Sequence, residues 1–316
     1  MNRREFVITG AGAALAGQNE PKSRVVIARD PSLRGSGRNI ESARLLKLLD
    51  RSLTAFYNRD NPLEAWKQIA RPGEVVGLKV NCLAGRGTAS TNPLLVDAIA
   101  ERLQQAGIAA KDILIFDRLS SDLESAGFRL SDRAGAVRFA GNDVLGYEEE
   151  LSIFGSAGSL IARAVTRTCD CIINLPVLKD HGIAGLTAAL KNMFGAIHNP
   201  NKYHVDVGDP YIADVYALPP FRNKVRVAIC DATTPQYEGG PSYMPQWSWP
   251  MNGLLVARDP VALDWTGWQI IEKKRAEKGL QTLEAAKRKP AYIATAANAA
   301  HRLGTNDPNR IDRVEV

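Results

Sequence analysis

Cys171-Ile-Ile-Asn-Leu-Pro-Val-Leu-Lys-Asp-His-Gly-Ile-Ala-Gly-Leu-Thr-Ala-Ala-Leu-Lys-Asn-Met-Phe-Gly195 decides how the rest of this chain is read. Cys171 to Leu175 reads as a buried strand, and a short connection then carries Lys179, Asp180 and His181. Gly182 and Gly185 stand where a helix is expected to begin. Leu186, Leu190, Met193, Phe194 and Ile197 fall at helical spacing and give that helix a core-facing stripe. Thr187 and Lys191 share another of its faces. A strand end, two cations and a glycine-flanked helix N-terminus predict a cradle for an anion or cofactor, because free backbone N–H groups and the helix dipole both favour negative charge.

The same alternation continues outward. Strand-like runs recur at Val25 to Ala28, Val75 to Val80, Ile113 to Phe116, Val137 to Ala140, Val225 to Cys230 and Leu254 to Ala257. Between them, Ile40 to Phe56 is amphipathic. Asn92-Pro93 opens a helix that closes at Gly107, Asp259-Pro260 opens another ending near Gly279, and a third runs from about Ala291 to Gly304. This predicts an α/β fold, a mostly parallel sheet with helices on both faces. The segment Ala232 to Asn252 holds Pro235, Pro241, Pro245, Pro250, Tyr237, Tyr243, Trp247 and Trp249. It is expected either as a lid over the strand-end cleft or as a loop packed on the core.

In an open α/β sheet the ligand crevice lies at the carboxyl ends of the strands. Reading those ends collects Lys79, Asn81 and Cys82, then Asp117 and Arg118, then Lys179 and His181, then Asp231 and Glu238, and last Arg258 and Asp259. Each has a plainer reading. Asp259 fits a helix N-cap, Asp117 a cap for a helix near Ser120, and Asn81 a turn. Lys79 and Asp231 interrupt apolar strands, where a charge needs a partner or a ligand. His181, His198 and His204 are three of the four histidines. With Asp206, His198 and His204 are the candidate ligands for a divalent metal, although no diagnostic spacing is present and loop histidines are the alternative.

The chain has 316 residues, a net charge of +6 and an apolar share of 45%, enough for a sizeable core as one α/β domain over residues 24–316 or as two lobes. Its basic residues are scattered, and the two tight runs, Lys273 to Arg275 and Lys287 to Lys289, sit on expected helix surfaces, so no nucleic-acid partner is expected. Four cysteines without a C-x-x-C pair offer no iron–sulfur ligand set and no disulfide-rich scaffold; Cys82 and Cys230 each sit at an expected strand end and could be neighbours, but buried free thiols are the expectation. Walker A, G-x-S-x-G and kinase motifs are absent. Residues 1–23 read as an export signal and linker. Asn2-Arg3-Arg4-Glu5-Phe6-Val7 resembles a twin-arginine motif, followed by a weakly apolar run to Ala14-Leu15-Ala16 that is too short for a stable membrane anchor. The competing reading of Val7 to Gly12 as a dinucleotide-binding turn fails because Leu15 stands where its third glycine belongs. The expected destination is the periplasm or the exterior, reached through the twin-arginine machinery.

Lys79-x-Asn81, Leu175-Pro-Val-Leu-Lys-Asp-His181 with Thr187 to Gly195, Asp231 to Glu238-Gly-Gly-Pro241, and Asp259-Pro-Val-Ala-Leu-Asp264 together resemble the domain-of-unknown-function family numbered 362. The likeness runs from about Val75 to the C-terminus. It implies a fold and a set of positions, not a reaction. Some members of that family carry a ferredoxin-like cysteine module, which this sequence lacks. The expectation is an exported enzyme acting on an anionic small molecule, with a metal or organic cofactor left open. The alternative is a non-catalytic periplasmic protein that binds a ligand or handles a cofactor. His181, Lys179 and Asp231 are the catalytic candidates, with His181 as general acid/base. Lys79, Asn81, Thr187, Lys191, Asn192 and Glu238 are the candidates for binding the ligand or cofactor.

Overall fold

Period-2 burial builds the sheet of this protein, a computed structural model that describes residues 22–316. The twin-arginine stretch, the small-residue pattern after it and the competing glycine turn lie outside the described residues. The first strands are β1 (Ser23–Arg29), β2 (Val76–Lys79), β3 (Ile113–Asp117) and β4 (Arg138–Gly141). A separate hairpin, β5 (Ser152–Phe154) and β6 (Ala157–Ser159), follows. Then come β7 (Cys171–Asn174), β8 (Val177–His181) and β9 (Gly185–Thr187). The last are β10 (Val225–Gln236), β11 (Gly253–Ala257) and β12 (Ile311–Glu315).

The main sheet runs in the order β12-β1-β11-β10-β7-β2-β3-β4. Every pair along it is parallel except the two made by β11, which is antiparallel to β1 and to β10. All strands on this path but β11 therefore point one way, and their carboxyl ends share one edge. The fold is α/β, as the alternation predicts.

Helices cover both faces. They are α1 (Ser42–Tyr57), α2 (Pro62–Trp66), α3 (Pro93–Gln105), α4 (Ser120–Ser125) and α5 (Asn142–Leu145) in the first half. In the second half they are α6 (Ala189–Asn192), α7 (Tyr211–Ala217), α8 (Pro219–Lys224), α9 (Pro260–Glu277) and α10 (Tyr292–Ala297). Val26, Leu78 and Ile173 pack with Leu45 of α1 and Ile99 of α3. Their neighbours in sequence, Val25, Ile27 and Ile172, join Leu190, Val215 and Leu263 in a second core on the other face. Asn92 and Asp259 cap α3 and α9 by accepting from backbone N–H groups, each with proline in the first turn. Among the described residues no helix is long and apolar enough to cross a membrane. All four cysteines are buried and free.

Three expectations need correction. The helix expected from Gly182 is instead the β8–β9 hairpin, and helical backbone begins only at Ala189. Gly185 has φ +75, and a Cβ there would lie 1.9 Å from the Arg288 carbonyl oxygen, so this glycine serves a turn and a close approach. Because β11 is reversed, Arg258 and Asp259 lie at the opposite edge from the other strand ends, where Asp259 also accepts from Ser23 Oγ at the start of β1. The third expected helix is cut down to Tyr292–Ala297. In the long aromatic segment, Tyr237 is buried and its ring lies against Trp247 and Trp249. Of the segment's residues only Pro241 lines the strand-end cavity.

Candidate functional site

Three strand ends set the floor of the site. Lys79 ends β2, and the register places Phe116 of β3 and Asn174 of β7 on either side of it. Lys79 is buried, so its ammonium needs a counter-charge. Asp117, the last residue of β3, supplies it at 2.7 Å and also accepts from the backbone N–H groups of Cys82 and Arg118. It does not cap the helix near Ser120, a position served by Asp143. Gly195 lets the chain close over this pair, since a Cβ there would sit 2.5 Å from Asp117 Oδ1 and 2.8 Å from Lys79 Nζ.

Asparagines stitch the floor to the wall. Asn192 Nδ2 donates to Asn174 Oδ1 and to the Lys79 carbonyl, while its Oδ1 accepts from Asn81 Nδ2. Asn81 Oδ1 in turn accepts from Lys179 Nζ at 2.9 Å. Thus Asn81 and Asn192 act first as positioning groups, holding α6 against the strand ends.

The wall comes from β8, β9 and α6. Lys179 and His181 alternate with Asp180 along β8, so the two face the cavity while Asp180 pairs with Arg288 behind it. Lys179 Nζ donates to Asn81 and to the Ala89 carbonyl, both neutral acceptors. Burial holds its pKa down to about 8, partly offset by the nearby Asp117 charge. Lys191 is pushed down to about 7 by burial, with the Lys179 charge adding to it. Its Nζ lies 2.9 Å from His204 Nε2 and 4.7 Å from the Phe194 ring centroid. Thr187 stands opposite Lys179 in the hairpin, is buried, and its Oγ1 has no hydrogen-bond partner.

His181 departs from the general acid/base role expected of it. Its Nδ1 accepts from the backbone N–H groups of Ile183 and Ala184, so its own proton sits on Nε2. Burial, helped by the charges of Lys191, His204 and Lys179, drives its pKa down to about 2. A ring held neutral in this way is a hydrogen-bond donor rather than a titrating group at neutral pH.

These groups line a cavity of about 430 Å³. Lys79, Asn81, Lys179, His181, Thr187, Lys191, Asn192 and His204 all reach it, so the strand ends do converge. The rest of its lining is mixed: Leu83, Ile183, Phe194, Pro200 and Pro241 form an apolar part, while Asp117, Arg118, Asp122 and Asn201 add polar and charged groups on the β3 side and the rim. Reading polar residues alone missed the apolar part. The visible signal for Leu83 and Ile183 was an aliphatic side chain beside a glycine-rich turn.

Four candidates stay out of the cavity. Asp231 accepts from the backbone N–H groups of Asn92 and Thr233 and from Thr233 Oγ1, holding the start of α3. Burial raises its pKa. Glu238 lies between Arg275 and Arg288, an ion-pair group that fixes the β8 side of the wall. His198 is exposed with its ring against Tyr147, and Asp206 is exposed. Among the described residues no three His, Cys, Asp or Glu side chains are grouped to hold a metal ion. The expected anion cradle at the helix N-terminus is also taken: the N–H groups of Ala189 and Leu190 are bound by the Asp264 carboxyl from α9.

Residues 76–269 match the family described as "Domain of unknown function (DUF362)". Among solved structures, a protein from Thermotoga maritima known from its crystal structure is similar, with 11% sequence identity and a TM-score of 0.46. The match covers 77% of this chain and 60% of that one, so the chain spans less than two thirds of that relative's length. No curated protein matches. The matched residues run from the first residue of β2 into α9 and take in every residue of the cavity wall. On that span, the chain belongs to the DUF362 family.

Proposed function

We propose that the protein is an enzyme acting on a small organic anion held in the strand-end cavity. One observation supports this above others. Lys179 and Lys191 are both buried in the cavity wall, and among the described residues neither is ion-paired with a carboxylate. A buried ammonium without a counter-ion is unfavourable and tends to lose its proton. A carboxylate or phosphate entering the cavity supplies that counter-ion, and Thr187 Oγ1 and His181 Nε2 offer neutral donors beside it. Leu83, Ile183 and Phe194 favour a ligand that also carries an apolar part.

Calorimetric titration with oxalate, pyruvate and inorganic phosphate tests this. At least one should bind saturably, and Lys179→Met should weaken it about tenfold or more, the loss of one charge-assisted hydrogen bond. Equal affinity in wild type and variant refutes the reading. The twin-arginine stretch supports placing this activity outside the cytoplasm, which fractionation of wild type and an Arg3→Lys, Arg4→Lys variant checks.

A non-catalytic ligand-binding or cofactor-handling role is the second reading. It is favoured by Asp231, which is spent on Asn92 and Thr233 instead of completing an acid–base set with Lys179 and His181. It predicts an anion retained stoichiometrically through purification, seen by native mass spectrometry, with no turnover.

A further inference from the structure

We infer that Lys191 is a carbonyl-condensing amine, and that the anion held in the cavity is a 2-oxo acid whose carbonyl carbon forms an imine with Lys191 Nζ. This rests on the anionic-ligand reading above and adds the ligand's functional group. The titratable and charged groups set against Lys191 are Lys179, His181 and His204, beside the Phe194 ring. None is a carboxylate. An amine buried in an apolar wall next to a second cation is the setting in which lysine presents a free lone pair at neutral pH. Its lowered pKa, about 7, agrees.

Two imidazoles then divide the remaining work. An ammonium only donates, so while Lys191 is charged His204 Nε2 is the acceptor of their 2.9 Å contact. His204 is thereby placed to take a proton from the amine. His181 is stacked on His204 at 5.5 Å, and with Nδ1 occupied by two backbone N–H groups it keeps a neutral Nε2–H donor for a carbonyl oxygen. The carboxylate of the oxo acid has its own partners. Lys179 uses two of its three N–H groups on Asn81 and Ala89, leaving one, and Thr187 directly across the hairpin has its hydroxyl unpartnered. A cation and a hydroxyl side by side, next to a nucleophilic amine, match a carboxylate adjacent to a carbonyl.

The step balances without an outside oxidant or reductant. The Nζ lone pair forms the C–N bond as the carbonyl π pair moves to oxygen. His204 takes one proton from nitrogen and returns it to that oxygen, giving a hydroxyl. A further proton, drawn from solvent, lets the hydroxyl leave as water, and the nitrogen lone pair closes the protonated imine.

Sodium cyanoborohydride trapping of the full chain with pyruvate or phenylpyruvate tests this. Hydride adds to the imine carbon and leaves a secondary amine, so intact mass rises by the oxo acid less one oxygen atom. Peptide mapping should place the adduct on Lys191, forming saturably and at least about tenfold faster than on surface lysines of the same protein. Lactate and phenyllactate lack the carbonyl; they should form no adduct and should slow the trapping. Lys191→Met, its fold checked by melting temperature, should lose the fast adduct. Labelling of Lys191 no faster than of surface lysines overturns the inference, as does fast labelling that persists in Lys191→Met. If oxalate or lactate still binds while Lys191 goes unlabelled, the imine fails and the anionic-ligand reading stands. If none of these anions binds, both fail.

Discussion

Lys79 and Lys179 are equally buried, yet only Lys79 is ion-paired with a carboxylate, Asp117 at 2.7 Å; Lys179 feels that charge only from farther away. The sequence shows that both charges interrupt apolar surroundings and so need something. It does not show which of them the protein itself satisfies, because Asp117 and Lys79 meet only through the β2–β3 register. Asp231 teaches the same lesson in reverse: its need for partners was legible, and the partners are backbone N–H groups. The unmatched lysines have a consequence for stability. Their folded-state pKa values, about 8 and about 7, lie below the ordinary lysine value, so above neutrality the unfolded chain binds more protons and stability rises with pH. The buried thiols, pushed upward, act in the opposite sense near and above pH ~9, so the useful window is about pH 7 to about pH 8.5. Across it Lys191 should contribute roughly 1–2 kcal/mol of gain to the ligand-free protein. Urea denaturation at both ends of the window should show that gain in wild type and a smaller one in Lys191→Met; identical gains contradict the assignment.

Among the elements, α6 is the informative one. Leu186, Leu190, Met193 and Phe194 are all buried, as a core-facing helix requires, but the same spacing is met by a hairpin strand, one α-helical turn and then a 3-10 turn over Met193–Ala196. Apolar periodicity cannot separate these, since Val177 and Lys179 find strand partners on β10, more than fifty residues away. An element as short as α6 is not stable by itself. Asp264 of α9 holds its first N–H groups, and Asn192 is tied to β2 and β7. Asp264→Leu would leave those N–H groups buried and unmet, at a cost of about 1–3 kcal/mol each. The expected result is a lower melting temperature together with weakened anion binding, because Lys191 and Asn192 ride on the same turn. A variant that loses stability but binds as well as wild type would show that α6 does not need this anchor.

At the scale of the whole molecule, the cavity lies where the parallel strands β2, β3 and β7 end side by side at one edge of the sheet, with β8, β9 and α6 as its wall, while a second layer of ion pairs holds that wall in place. Arg288 joins Asp180 of β8 to Glu238, and Arg275 of α9 also reaches Glu238. Asp180 is fully buried, and its carboxyl is raised to about 6 chiefly by burial, with Arg288 opposing. Removing that partner leaves a buried charge alone, so Arg288→Ala should lower stability by about 3–5 kcal/mol, measured by denaturant titration at neutral pH. A loss below about 1 kcal/mol, typical of exposed pairs, would mean that Asp180 is not held as a charge. Alternating apolar runs, the proline-led helix starts and the charges inside strands were enough by themselves to determine an α/β sheet covered on both faces and to nominate Lys79, Lys179, His181 and Lys191. They encode local preference and burial, which are carried residue by residue. The direction of β11, the hairpin in place of a helix, and the sorting of acids into partners and non-partners were decided by tertiary structure. Each depends on contacts between segments far apart in the chain, and no local pattern records which distant backbone or carboxylate will arrive.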